Sequence, residues 1–267
     1  NGEKPFVKYY TNKARQAGMT LIELTVVLLV LIGLAGLMIP YVSGFISKTH
    51  DSTGASSLGE VTKSMIRYET QFQGFPDDMD SLISTSGGTD SVFTKMMNSG
   101  LYTALALTSS EVEGLTNVGI DSVLAMNESG LSATFDSSLI TPVSISGGAT
   151  FASLNLTSGT SSMMATNTTD LQTELGGHVI DTDNNYYIVF GIGSGSSMIG
   201  KTIHEAPVHF AQTGNMSADS KYNRLVALFE VPKSGMMPRA KFLGSLMPMM
   251  ALEGKTGALN SHYSSLD

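Results

Sequence analysis

The stretch Gly18-Met19-Thr20-Leu21-Ile22-Glu23-Leu24-Thr25-Val26-Val27-Leu28-Leu29-Val30-Leu31-Ile32-Gly33-Leu34-Ala35-Gly36-Leu37-Met38-Ile39-Pro40 decides how this chain is built. Met19 to Ile39 is apolar almost throughout, and a helix needs about 20 such residues to cross the hydrocarbon core of a bilayer. One side chain breaks the run, the carboxylate of Glu23. A charge at membrane depth costs on the order of 3 kcal/mol and marks a functional position by default. The plain reading of Glu23 is a first-turn acid, favoured by the helix macrodipole and reaching back to the lipid interface. Lys13 and Arg15 stand just before the run. An ordinary secretory signal peptide would have a shorter apolar core, with its small-residue cleavage site after the core and not before it.

At these residues the chain resembles the type IV pilin family, which includes the pseudopilins of type II secretion. The likeness rests on Gly18 followed by Met19-Thr20-Leu21-Ile22-Glu23, on the long apolar run, on Pro40 and on the basic leader. It covers residues 13–40 and extends more loosely through Gly74-Phe75-Pro76 to Leu82. The resemblance implies a prepilin that a membrane aspartyl peptidase cuts after Gly18, with N-methylation of the new first residue, Met19. Glu23 would then be the fifth residue of the mature chain, and its carboxylate would meet the terminal ammonium of a neighbouring subunit in a filament. The physics agrees, because an acid buried alone in an apolar bundle is expensive and a close opposite charge recovers much of that cost.

Composition narrows the function further. The chain has 267 residues, room for one sizeable domain beyond the apolar helix or for two small ones. It has no cysteine, so neither a disulfide nor a thiolate metal site is available. Many members of the resembled family staple a C-terminal loop with a disulfide, which this chain cannot do. The formal net charge is -8. Residues 1–18 are basic (Lys4, Lys8, Lys13 and Arg15 against Glu3), so the remainder is more acidic still. That argues against a nucleic-acid groove, which needs clustered Lys and Arg.

Beyond Pro40, Leu58, Val61, Met65, Tyr68 and Phe72 recur at three and four residues and predict an amphipathic stem helix. Ser47 to Ser57 is poor in helix formers and predicts a solvated or bent stretch. Gly33, Gly36 and Pro40 mark a second weak point. Gly74-Phe75-Pro76 stops the helix, and Asp77 to Leu82 predicts an N-cap and a short new helix. Capping explains Asp77, Asp78 and Asp80 more cheaply than calcium does. Further on, helical patches are expected at Val92–Leu107 and Glu111–Leu115, and strand-like pieces at Leu139–Ile145 and Thr150–Leu156. The clearest strands are Asn185–Ile192 and Tyr222–Val231, aromatic and β-branched, with Val208–Phe210 a weaker third. Met236–Leu252 reads as a C-terminal helix broken at Pro238 or Pro248, its methionines serving as adaptable packing. Asn127, Asn155, Asn167 and Asn215 fit the glycosylation pattern, as chance alone allows in so Ser/Thr-rich a chain.

Three stretches approach a chemical motif. His204-Glu205-Ala206-Pro207-Val208-His209 is one residue too long for the helical zinc motif, and Pro207 breaks the helix it would need. Gly191-Ile192-Gly193-Ser194-Gly195-Ser196 follows a strand as a dinucleotide loop would, but the third glycine and the strand-helix alternation are missing. Asp181, Asp183 and Asn185 are the candidate metal ligands, for a non-EF calcium site of the kind that the resemblance to pseudopilins implies. The rival is an Asx-rich turn leading into the strand.

The expectation is an α+β protein in which a long N-terminal helix packs on a C-terminal antiparallel sheet. Its parts are a leader (1–18), an apolar membrane or filament-core helix (19–40), an amphipathic stem (41–74) and a globular head (75–267). By resemblance it is a non-enzymatic pilin of a type IV pilus-like filament, held in the cytoplasmic membrane as precursor and then extracellular on the cell surface. Gly18 and Met19 carry processing, and Met19, Glu23 and Pro40 carry assembly. The implied partners are copies of itself, a prepilin peptidase, a membrane platform protein and an assembly ATPase. No cofactor other than calcium is implied. A type II secretion pseudopilin is the alternative within the class, and a single-pass membrane-anchored binding protein the alternative outside it.

Overall fold

The computed structural model describes residues 21–84, 102–127, 150–166, 168–207, 224–247 and 253–254. The protein is mixed α and β and divides into two compact units, Asn1–Ile46 and Ser47–Asp267. Helical residues run Leu21–Phe72 (α1) and belong to both. In the first unit they form a 19-residue apolar segment, Leu21–Ile39, with a mean hydropathy of 2.6 and none of it buried by the protein.

In the second unit α1 is amphipathic. Ala55, Leu58, Val61, Met65 and Tyr68 are buried at the three- and four-residue spacing of one helix face. Phe72 departs from the expected stripe and is 49% exposed. Its ring lies 4.5 Å from that of Tyr68, and the Lys201 ammonium sits 4.9 Å above it. The poor helix formers Ser47 to Ser57 are helical, contrary to their propensity, and Gly54 and Ala55 are buried there. Tertiary burial overrides a weak local preference. The helix ends at Gln73, whose φ of 59° is the left-handed stop and whose N–H still reaches the Glu69 carbonyl at 2.8 Å.

Among the described residues the sheet has nine strands: β1 (Met79–Ser84), β2 (Tyr102–Ala106), β3 (Ser122–Asn127), β4 (Thr150–Asn155), β5 (Ser161–Ala165), β6 (Asn185–Gly191), β7 (Val226–Pro232), β8 (Lys241–Met247) and β9 (Glu253–Gly254). Two short helices lie between strands, α2 (Ser109–Thr116) and α3 (Thr168–Glu174). The main path is β4-β3-β1-β6-β7-β8-β9, with β5 joining β6 and β2 joining β5. Among the described strands every pairing is antiparallel except β1 with β3. One edge of β6 pairs with β7 along its length, and the other is shared between β5 and β1.

Both faces of the central strands are covered. Ile188, Phe190, Ala227, Phe229 and Val231 pack with the α1 stripe in one core. Their neighbours Tyr187, Val189, Val226 and Leu228 pack in a second core with Leu82, Tyr102, Met163, Leu246 and Leu171 of α3. Successive side chains on a strand point to opposite faces. A strand buried on both sides therefore reads as an unbroken apolar run, which is why β6 and β7 were the most legible strands.

Three expectations of local structure are corrected. Met236–Leu252 is no helix in its described part: residues 236–240 are non-helical, and Lys241–Met247 is a strand. Pairing with β7 decides this, and Gly244, at φ 157°, suits a strand irregularity better than a helix interior. The described end of the proposed Val92–Leu107 helix is β2, held by five register pairs to β5. Asp77 to Leu82 turns directly into β1 without a helix. By contrast, Glu111–Leu115 lies in α2 and Thr150–Leu156 contains β4. Leu139–Ile145 and Val208–Phe210 lie outside the described residues.

Phe229 is fully buried in the first core, with ring contacts to Phe75 at 5.2 Å, Phe242 at 5.5 Å and Phe190 at 5.9 Å. Phe229→Ala should lower unfolding stability by about 3–5 kcal/mol, the cost of a large aromatic cavity. Chemical denaturation in detergent would check this.

Candidate functional site

Two regions carry the chemistry that the described residues offer. The first is the apolar segment. Glu23 stands in the first turn of α1, where an acid complements the positive end of the macrodipole. Thr25, the other polar side chain near the start, donates its hydroxyl to the Ile22 carbonyl at 2.9 Å, so it adds no orphan donor to an apolar surface. Pro40 lies inside the helical run. It has no N–H to give the carbonyl four residues earlier, which loosens the helix there. Gly18 and Met19, the proposed processing residues, lie outside the described residues.

The second region is a hub of hydrogen bonds at Gly74 to Asp78, where α1 hands over to the sheet. The Phe75 N–H donates to the Val118 carbonyl at 2.7 Å, and the Asp78 N–H to the Ser122 carbonyl at 3.0 Å. The Asp77 carboxylate accepts the Asp121 N–H at 2.6 Å and the Ser122 N–H at 3.3 Å. The Asp78 carboxylate accepts the hydroxyls of Ser122 (2.9 Å) and Ser153 (2.7 Å). The loop after β6 closes the other side. There the Ser197 hydroxyl accepts the Asp77 N–H at 2.9 Å and lies 3.1 Å from the Tyr68 hydroxyl. Lys201 donates to that same Tyr68 oxygen at 3.2 Å. Four separate pieces of chain thus meet at one helix end. Gly74 and Gly119 permit it, since a Cβ on either would lie 3.0–3.1 Å from the other's backbone neighbourhood.

No family model, curated protein or solved structure matches this chain.

The other sequence candidates resolve into structural roles. Asp181 folds its own loop. One of its oxygens accepts the N–H groups of Asp183 (3.1 Å) and Asn184 (3.2 Å), and the other accepts the Asn184 side chain at 2.8 Å. This is the Asx turn that rivalled the calcium site. Asn185 turns away and donates to Glu230 across the sheet at 3.2 Å, while the Lys233 ammonium bonds to the Thr182 carbonyl. No group of three His, Cys, Asp or Glu suited to a metal occurs among the described residues. The Asn184 side chain and then its N–H, aided by Asp183 and Lys233, hold the Asp181 carboxyl below its ordinary range.

The glycine-rich loop has a different cause from phosphate binding. A Cβ on Gly193 would fall 2.3 Å from the Asp80 carboxylate, so glycine makes room for a buried acid. An acid beneath the loop is also a poor floor for an anion. His204 is exposed, and His209 lies outside the described residues. The buried Glu111 accepts the Thr108 N–H at 2.6 Å and the Thr108 hydroxyl, closing the start of α2. Its Thr-x-x-Glu spacing is the sequence signature of this capping box.

Burial raises the Asp77 carboxyl above its ordinary range. The Asp121 and Ser122 N–H groups oppose the shift, and the nearby Asp121 and Asp78 charges add to it. The sign follows from linkage: a carboxyl with a raised folded-state value binds more protons folded than unfolded, so stability is lost as pH rises through that window. Asp77→Asn keeps the acceptor oxygen and removes the charge. It should equal or exceed the wild type at neutral pH and lose that advantage below the ordinary carboxyl range. Asp77→Ala should cost about 1–2 kcal/mol at neutral pH, because two N–H groups lose their partner. Thermal unfolding from pH 3 to 7 would check both.

Proposed function

We propose that this protein is a structural subunit of a type IV pilus-like filament, cut after Gly18 and assembled through its N-terminal helix. The observation that carries the proposal is Leu21–Ile39, helical, uniformly apolar and uncovered by the rest of the chain, with a single acid in its first turn. Such a surface calls for lipid or other apolar helices. Lipid would serve the precursor, and copies of the same helix would serve the filament. In that bundle Glu23 pairs with the ammonium of Met19 on a neighbour and fixes the axial register, which apolar contact alone leaves loose. The proposal assigns the chain no catalysis; its partners are its own copies, the prepilin peptidase, the platform protein and the assembly ATPase.

A pseudopilin of type II secretion is the second reading, favoured by the absence of cysteine. A simple membrane anchor carrying a binding head also accounts for an apolar helix, and Glu23 separates it from the filament readings. Glu23→Ala should leave the protein in the membrane at wild-type levels while filaments in the sheared fraction fall by about tenfold or more, as loss of a buried pair predicts. Filaments in normal number from that variant would remove the assigned role of the carboxylate. Fractionation and electron microscopy of sheared material provide the readout.

A further inference from the structure

The connection between β7 and β8 presents two methionines to solvent. Met236 is 99% exposed and Met237 82%. The loop that carries them is fixed at both ends. On one side the Lys233 N–H donates to the Asn184 carbonyl at 2.9 Å, and the Lys233 ammonium sits 4.4 Å above the Tyr186 ring. On the other, the Asn117 amide donates to the Pro238 carbonyl and the Ala240 N–H to the Gly114 carbonyl, both at 2.8 Å. Stability does not explain the choice of residue. Neither side chain is buried, and Met237 holds φ 55°, a left-handed conformation that costs a residue with a Cβ about 1–2 kcal/mol. What the pair does offer is two thioether sulfurs with unobstructed access.

Met164 is half-buried, and five other described methionines of the second unit contrast with the pair. Met65, Met79, Met163 and Met198 are fully buried and Met247 nearly so, each shielded by one of the two cores or the sheet that separates them. Thioether oxidation follows exposure, since the oxidant must reach the sulfur.

We propose that Met236 and Met237 form an oxidation site that takes a two-electron oxidant such as hydrogen peroxide. A sulfur lone pair attacks one peroxide oxygen, the O–O bond breaks and water leaves. Each sulfur is oxidised to the sulfoxide as one peroxide is reduced. Because neither side chain packs on the protein, the change converts an apolar projecting tip into a polar one without touching the core. The site does not depend on the filament reading.

The test is a time course of dilute peroxide on the full chain in detergent micelles, followed by peptide mapping. Met236 and Met237 should each gain one oxygen at least about tenfold faster than Met65, Met79, Met163 and Met198. The unfolding midpoint should move by less than about 2 °C when both are oxidised, and a methionine sulfoxide reductase should reverse the gain. A Met236→Gln/Met237→Gln variant should unfold at the wild-type midpoint and leave the oxidation rates of Met65, Met79, Met163 and Met198 unchanged. Equal rates at tip and core methionines would overturn the proposal, as would a fall in the midpoint in step with tip oxidation.

Discussion

An apolar helical surface that the protein does not cover is the constraint on which everything else depends. Each Leu, Ile or Val side chain of Leu21–Ile39 stands to contribute roughly 1.5–3 kcal/mol when removed from water. The environment must supply that cover, and a segment of this length and composition suits a membrane anchor, a test that a signal sequence near the N-terminus also passes. Glu23 makes the choice of cover consequential. Lipid tolerates it only near the interface, whereas a bundle of like helices tolerates it only with a cation beside it.

The second unit solves the opposite problem, that of covering the central strands of a sheet on both faces. The α1 stripe from Ala55 to Tyr68 closes one face, while α3 and the outer strands close the other. The hub at Gly74 to Asp78 ties these together. It lets a helix end, two strands and the loop after β6 meet with their N–H groups and hydroxyls paired, where an unpaired buried donor would cost about 1–3 kcal/mol. Disulfides play no part in this, as the chain has no cysteine.

Signals of one period were legible in the sequence, and signals that depend on distant partners were not. Leu58, Val61, Met65 and Tyr68 repeat as a helix face does and are buried as one. The central runs of β6 and β7 could be read because both faces are buried. Lys241–Met247 could not, because its two methionine-rich flanks and Pro238 resemble a broken helix, and only the register with β7 makes it a strand. Asp77 and Asp78 were read as helix caps. They do accept N–H and hydroxyl donors, but from Asp121, Ser122 and Ser153, far along the chain, and no local rule points to those partners. The acidic turn at Asp181 was legible as a turn because its partners lie two and three residues away.

The central claim concerns the start of the mature chain, and mass spectrometry of the N-terminal peptide from material sheared off the cell surface tests it most directly. The account predicts a peptide that begins at Met19 and carries the added mass of one methyl group. A surface filament that retains residues upstream of Gly18 would contradict it, since Lys13 and Arg15 would then enter the apolar core beside Glu23.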